Sequence, residues 1–401
     1  MNLVNPQKTI AQIIPSLESG GVERGVVDIA KAIKNQGWNS IVISNGGVLT
    51  YQLVEAGVRH IKLPVHSKNP LVIFKNIKKL SQIIEEHKID ILHLRSRAPM
   101  ISAYYAIKKS SAVLVSTIHG SYSLNFLGIK NSSIKKIYNS IMLRADKIIA
   151  VSNFIKSNII NNYQNPHHNP LDKHLNIDKL NQIKVIHRGV DLKYFNSSVI
   201  SKNRMIDLIN KWNLPDDKKI IMLPARFTEW KGHKFLLNAL TMVNQDYFCI
   251  LVGSDHGHQL FRKKIEQKII DLHLEGKVKV VGNCKDMPSA FAISYLALST
   301  SIRPEAFGRI AIEAQSSSRI VIATSIGGSL ETIIDNKTGF LVEPNNAEEL
   351  AKKIDEILSM NQEKYQEISN QARLHVEQNF SNQLMYDKTI EVYQEIFANP
   401  K

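Results

Sequence analysis

The sequence predicts an α/β protein of two domains, each a parallel sheet wrapped by helices. Three observations carry this expectation. Apolar, β-rich runs without in-out alternation recur along the chain, as strands buried on both faces require. Amphipathic stretches of ten or more residues separate them, long enough for the crossovers that parallel strands need. The alternation then occurs a second time after an Asn-, His- and Pro-rich interruption. With 401 residues, 43% of them hydrophobic, two ordinary cores can be filled. Two Rossmann-like domains are the economical solution.

Taken in order, the first half gives strands at Thr9–Leu17, Ile41–Ser44, Ile89–Leu94, Leu114–His119 and Lys147–Ser152, with helices from Val22 and near Leu71–Glu86. Residues 164–182 favour irregular structure and are expected to be a surface insertion. A strand at Lys184–Ile186 follows, with the linker after Asp191. The second half gives strands at Lys219–Pro224, Phe248–Gly253, Val278–Gly282, Leu296–Ser301 and Ile320–Thr324. The expected domains are therefore residues 1–195 and 196–380. An amphipathic helix, Ser381–Phe397, is positioned to pack back on the first domain.

Composition narrows the function classes. No apolar run approaches the ~18 residues of a membrane span, and Met1–Pro6 lacks the basic-then-apolar pattern of a signal peptide, so the expected location is cytoplasmic. Cys249 and Cys284 make no disulfide framework and cannot alone form a thiolate zinc site. His167, His168 and His174 could ligate a metal but lack a supporting carboxylate constellation, so no metal site is expected. The net charge of +15 is asymmetric: residues 1–195 hold 26 Lys+Arg against 11 Asp+Glu, and the remainder holds 25 of each. Attraction to polyanions thus belongs to the first domain, with anionic lipid, an anionic acceptor and nucleic acid as candidates.

Three loops carry chemistry. Ser19-Gly20-Gly21-Val22-Glu23-Arg24 follows the first strand and opens a helix, where backbone N–H groups can meet a phosphate or sugar oxygen; a plain βα turn is the competing reading. It is not Gly-x-Gly-x-x-Gly, so an oxidoreductase fingerprint is not supported. Arg226 and Lys231, five residues apart after the first strand of the second domain, suit a diphosphate, Arg226 bidentately and Lys231 as a point charge. A solvated basic loop is the alternative. The third loop contains Glu305 and Glu313, on either side of Gly308.

That spacing limits what the two carboxylates can share. On one helix, a rise of ~1.5 Å per residue would separate them by about 12 Å. Acid-base pairs acting on one glycosidic bond sit roughly 5 to 9.5 Å apart. The pair therefore suits the two ends of one extended ligand, such as a nucleotide sugar. Ala306, Phe307 and Gly308 would add helix N-terminal amides for an anion. A surface helix with two unrelated glutamates is the competing reading, and Glu313, beside Ile312 and Ala314, must be partnered or destabilising.

Glu305 and Glu313, the Arg226–Lys231 loop, the Gly20-Gly21 turn and Gly327-Gly328-Ser329-Leu330-Glu331-Thr332 followed by Thr338-Gly339-Phe340-Leu341-Val342 together resemble the family 4 retaining glycosyltransferases of the GT-B fold, across nearly the whole chain. The resemblance implies two Rossmann-like domains whose parallel sheets face an interdomain cleft. It implies a nucleoside-diphosphate sugar held by the second domain, a saccharide or lipid-linked acceptor held by the first, and hexose transfer with neither cofactor nor catalytic metal. By the same resemblance Glu313 binds the ribose, Glu305 and the amides after it contact the transferred sugar, and Arg226 and Lys231 neutralise the diphosphate. Gly20 and Gly21 approach the donor from the first domain. His119 matches a histidine used near the donor sugar, with a structural histidine as the alternative.

Base contacts are expected around Val281–Asn283, with Asn283 the side chain assigned. Arg95 and Arg97, with Lys135 and Lys136, resemble segments of bacterial members that build lipopolysaccharide or related envelope glycans, and are assigned to an acceptor phosphate or carboxylate. Solvated basic patches are the alternative there. Such a role allows peripheral contact with the inner face of an anionic cytoplasmic membrane. Two departures stand out: Ser316–Ile320 lacks the usual Gly-x-Pro turn, and the insertion at 164–182 is atypical. A sugar-nucleotide epimerase or phosphorolytic enzyme of the same fold is the alternative reaction. A basic nucleic-acid-binding module is the alternative class, but no aromatic-basic interleaving or recognition helix supports it, so nucleic acid is not an expected partner.

Overall fold

A computed structural model describes residues 7–18, 20–120, 138–163, 178–255 and 257–399. The chain divides into two compact units, Met1–His187 with Met385–Lys401, and Arg188–Leu384.

In the first unit the strands β1 (Thr9–Ile13), β2 (Asn39–Ser44), β3 (Arg59–Lys62), β4 (Ile91–Leu94), β5 (Val113–Ile118), β6 (Lys147–Ala150) and β7 (Lys184–Val185) form one sheet in the order β3-β2-β1-β4-β5-β6-β7. Every pairing is parallel. The central strands β1, β4 and β5 are buried along their whole length, which is why their sequences show no polar alternation. The Gly21–Asn35 helix buries Val26, Val27, Ile29, Ala30 and Ile33, a 3.6-residue stripe. Pro70–Glu86 starts where Asn69 caps it, accepting from the Leu71 amide at 2.9 Å, with Pro70 supplying the pre-set first turn.

The second unit repeats the plan with β8 (Lys219–Pro224), β9 (Tyr247–Val252), β10 (Val278–Gly282), β11 (Leu296–Ser299), β12 (Ile320–Thr324) and β13 (Phe340–Val342), ordered β10-β9-β8-β11-β12-β13 and parallel throughout. Successive residues of each strand fill opposite faces. Ile221, Leu223, Cys249, Leu251, Ile320 and Ile322 enter one core, while Ile220, Met222, Ile250, Val252, Val321 and Ala323 enter the other. At about 1.5–3 kcal/mol per fully buried aliphatic side chain, these two faces dominate the stabilisation of the sheet.

The Asn382–Ala398 helix starts in the second unit and from Met385 belongs to the first. There Met385, Ile390, Tyr393 and Ile396 pack with Ile10, Ile29, Ile33 and Ile91. The Tyr393 hydroxyl meets His93 Nδ1 at 2.6 Å, and His93 Nε2 meets Thr117 Oγ1 at 2.7 Å. Burial, with Arg95 nearby, holds the His93 imidazole well below its ordinary pKa. No helix among the described residues is long and apolar enough to cross a membrane.

Several sequence expectations need correction. The first strand ends at Ile13 rather than Leu17, because Pro15 cannot continue a central ladder. β3 and β13 were not anticipated: β3 reads Arg-His-Ile-Lys, a charged edge strand with no apolar run, and β13 has only three residues. Asp178–Asn181 forms a helical turn inside the segment expected to be irregular; residues 164–177, with His167, His168 and His174, lie outside the described residues. The stretch from Arg188 groups with the second unit, where Val190 pairs with Ser381 and Phe195 enters the core, so the described division precedes the expected linker. Where Gly-x-Pro was missing, Ser318 takes the left-handed conformation, φ 53°, and lets the Arg309–Ser316 helix turn into β12.

Candidate functional site

In the second unit the sheet order reverses direction at β8, with β9 on one side and β11 on the other. Open α/β sheets place ligands outside the carboxyl ends of the strands at such a point. The loops leaving β8 and β11 meet there.

The loop after β8 is stitched to its neighbours through backbone. The Ala225 amide donates to Val252 and the Phe227 amide to Ser254, so the chain passes close over Gly253, where an added Cβ would lie 2.0 Å from the Ala225 carbonyl oxygen. Arg226 projects into solvent and is paired with no acceptor among the described residues. Gly232 has φ +74° and its missing Cβ faces the Thr300 carbonyl at 1.8 Å, a position only glycine fits. The Ile302 amide donates to the Trp230 carbonyl at 2.8 Å. These contacts fix Lys231 beside the loop after β11.

There Lys231 Nζ donates to Glu305 Oε1 at 2.6 Å, with side-chain exposures of only 9% and 13%, a pair largely withdrawn from water. The Ser301 hydroxyl donates to the same oxygen. Among the described residues Oε2 makes no hydrogen bond. The Lys231 ammonium also sits 4.4 Å from the centre of the Trp230 ring. The Glu305 backbone is held by Gly327 and Gly328: the Gly328 amide donates to the Glu305 carbonyl at 2.9 Å, and a Cβ on Gly328 would lie 2.3 Å from Phe307 Cα. The two glycines thus let one loop lie on the backbone of the other.

Gly308, φ 83°, caps the Arg309–Ser316 helix, so Glu305 lies before the helix and only Glu313 lies on it. The ~12 Å helical separation therefore does not apply. Ala306 and Gly308 stand at the helix start, whereas the Phe307 side chain is core, edge-on to Phe380. Glu313 is partnered: Arg309 Nη2 donates to its Oε1 at 2.6 Å. Sequence reading missed Arg309, although its i,i+4 spacing to Glu313 is a legible signal. Ser301 gave none. Asn283 is exposed just beyond β10, on the same edge of the sheet. Cys249 and Cys284 stand apart, with burial pushing both thiols up.

His233, next to the Lys231 loop, is fully buried and stacked on Phe227 at 4.8 Å between centroids. Burial, then the Lys231 charge, push its pKa down to about 4, partly offset by the Ala225 and Thr228 carbonyls.

In the first unit the direction reverses between β1 and β4. Gly20 caps the Gly21–Asn35 helix in an extended conformation, and the Glu23 carboxylate folds back over it. Arg95 and Arg97 follow β4, and His119 follows β5. Ile14, Ser16, Glu23, Arg95, Arg97 and His119 line one pocket of about 300 Å³. Arg97 Nη1 donates to Asn139 Oδ1, and its guanidinium lies 5.4 Å from the Tyr138 ring centre. Lys135 and Lys136 lie outside the described residues. No group of three or more His, Cys, Asp or Glu side chains converges among the described residues.

Known proteins match this arrangement along its length. Residues 19–194 match the profile of Glycosyltransferase Family 4 and residues 205–375 that of Glycosyl transferases group 1. The crystal structure of a glycosyltransferase from Rickettsia africae ESF-5 is 41% identical, over 98% of this chain and 100% of that one, with a TM-score of 0.87. The chain belongs to the glycosyltransferases of the family 4 type. Anabaena Alr3699/HepE, solved in complex with UDP and glucose, shares the fold at 22% identity, 97% and 100% coverage and TM-score 0.79. The capsular polysaccharide biosynthesis glycosyltransferase CapM of Staphylococcus aureus is 24% identical over 345 residues, 81% of this chain and 83% of its own. Two Rossmann-like domains of this kind make the GT-B fold.

Proposed function

We propose that the chain transfers a hexose from a nucleoside-diphosphate sugar to an acceptor hydroxyl, with retained anomeric configuration, in the synthesis of lipopolysaccharide or another envelope glycan. The observation that carries this reading is the meeting of the β8 and β11 loops, where Lys231 is bonded to Glu305, in the same loop as Arg226, which is exposed and without an acceptor among the described residues. An ammonium has three donors. Glu305 takes one, so the others can reach a diphosphate while Glu305 Oε2 accepts from a sugar hydroxyl. Glu313, steadied by Arg309, offers its second oxygen to the ribose, and Asn283, exposed just beyond β10, is assigned to the base in this reading. The relatives support the same reading: one was solved with UDP and glucose, and another acts in capsular polysaccharide biosynthesis.

As the bond from the anomeric carbon to the diphosphate breaks, negative charge grows on the leaving oxygen. Arg226, Lys231 and the amides at Gly308 stabilise it more in the transition state than in the ground state. The acceptor oxygen bonds to the anomeric carbon from the same face, and its proton passes to the departing diphosphate. Because the fixed cations carry the charge, turnover in EDTA is expected to match turnover without it.

The acceptor belongs to the first unit, together with contact to the inner face of an anionic membrane. Leu71 and Phe74 are 74% and 75% exposed, beside exposed Lys75 and Lys78 at helical spacing on one face.

The test is thermal stabilisation by UDP-, GDP- and ADP-sugars, since a ligand bound only by the native state raises the melting temperature. One series should stabilise the protein, and Arg226→Ala should abolish that shift and cost at least ~10²-fold in turnover. Near-wild-type rates in Arg226→Ala refute the assignment.

A further inference from the structure

We propose that the pocket at the carboxyl ends of β1, β4 and β5 is an anion-binding site that takes a carboxylate or phosphate monoester on the acceptor. This rests on the reading that the first unit holds the acceptor, and it adds that the acceptor is charged. Arg95 carries the argument. It is 5% exposed, the first residue after β4, and its amide donates to the Ile13 carbonyl at 3.0 Å, which fixes where its side chain leaves the sheet. Among the described residues its guanidinium makes no hydrogen bond and no ion pair, and its Nε is buried without an acceptor. Its charge-sensitive neighbours are His93 and Tyr393, neither of them a carboxylate. Glu23 lines the same pocket but is not paired with Arg95.

An unpaired buried charge costs several kcal/mol, and a guanidinium cannot shed its proton to escape that cost. Among the described cations of the two sites, Lys231 is matched with Glu305, Arg309 with Glu313, and Arg97 with Asn139 and Tyr138, while Arg226, also without an acceptor, is exposed and keeps its water. Among the described residues Arg95 alone is a buried cation facing a pocket of about 300 Å³ with its charge uncompensated, so the counter-charge is assigned to a ligand. The planar fork of arginine fits a carboxylate or phosphate bidentately. Arg97, held on the wall of the same pocket, supplies a second cation.

The probe is inorganic phosphate, with malonate beside it, added to the full chain at constant ionic strength while the melting temperature is followed. Wild type is expected to show a saturable rise. Arg95→Gln is expected to lose that rise and keep the shift produced by UDP; Arg226→Ala should do the reverse. A non-specific effect of phosphate on burial would be unsaturable and equal in all variants, and that result overturns the proposal. So does a phosphate response that saturating UDP or Arg226→Ala removes, which would put the anion in the donor site. If Arg95→Gln does not fold, Arg95→Lys decides: its phosphate affinity should fall by about tenfold or more, the loss of a charge-assisted hydrogen bond, and wild-type affinity overturns the proposal. A phosphate response lost in Arg95→Gln with no response to any nucleotide sugar would sink the donor reading and leave this site standing.

Discussion

Lys231 and Glu305 allow stability and chemistry to be separated. Both side chains are nearly excluded from water and their charged atoms lie 2.6 Å apart. Removing one partner of such a pair costs about 3–5 kcal/mol, mostly because the other charge is left buried and alone. Lys231→Met leaves Glu305 with the Ser301 hydroxyl, so its cost should fall near ~3 kcal/mol. Glu305→Gln keeps an acceptor for Lys231 and should cost less, ~1.5–3 kcal/mol, the worth of a hydrogen bond to a charged group. The double variant removes both charges and should return to within ~1–2 kcal/mol of wild type. Turnover should not follow: if Lys231 stabilises the leaving diphosphate, both Lys231→Met and the double variant lose ~10²-fold or more. Urea denaturation gives the stabilities, and acceptor-dependent release of nucleoside diphosphate gives the rates. Recovery of turnover together with stability in the double variant would show that the pair is a folding contact only, and the mechanism would lose its central cation.

Other perturbations test neighbouring parts of the argument. His233 is neutral in the fold with its pKa lowered to about 4, so its proton uptake favours the unfolded chain: stability is complete above the unfolded pKa of about 6.5 and is lost as pH falls towards 4, amounting to about 2 kcal/mol by pH 5. Urea midpoints compared at pH 7.5 and pH 5 should show this loss in wild type and not in His233→Leu; an equal pH response in both would refute it. Gly328→Ala forces a methyl against the Phe307 backbone and should cost ~1–3 kcal/mol while weakening nucleotide-sugar binding, seen as a smaller thermal shift. Unchanged stability and shift would show that the Gly327-Gly328 loop does not set the position of Glu305. Leu71→Glu with Phe74→Glu should leave stability within ~0.5 kcal/mol, since both are exposed. The same variant should lose sedimentation with anionic liposomes, and binding that persists at high salt would contradict an electrostatic surface contact.

The parallel α/β plan was legible because strands buried on both faces have to be apolar throughout. Ile220 to Leu223, for example, alternate between two cores rather than between core and water. The edges were not legible: β3 is polar because an exposed edge resists aggregation with charge, and that removes the signal. At the site, the residue types and their loops could be read, since glycine at φ +74° or +83° and cations after a strand leave local marks. Partnerships could not. Lys231 and Glu305 are 74 residues apart and meet because β11 lies beside β8. The sequence had Glu313 in need of a partner, and the helix supplied Arg309 one turn away.

By itself, then, the sequence picked out the glycines, cations and carboxylates that the proposed function assigns to a sugar nucleotide, because those choices rest on local backbone freedom and charge. Strand order decided which of them touch. It also decided that Arg95, which reads like any basic residue after a strand, is buried between β1 and β5 without a counter-ion among the described residues. Burial is a property of the whole packed unit, and the cost of an unpaired charge exists only once the water around it has been removed.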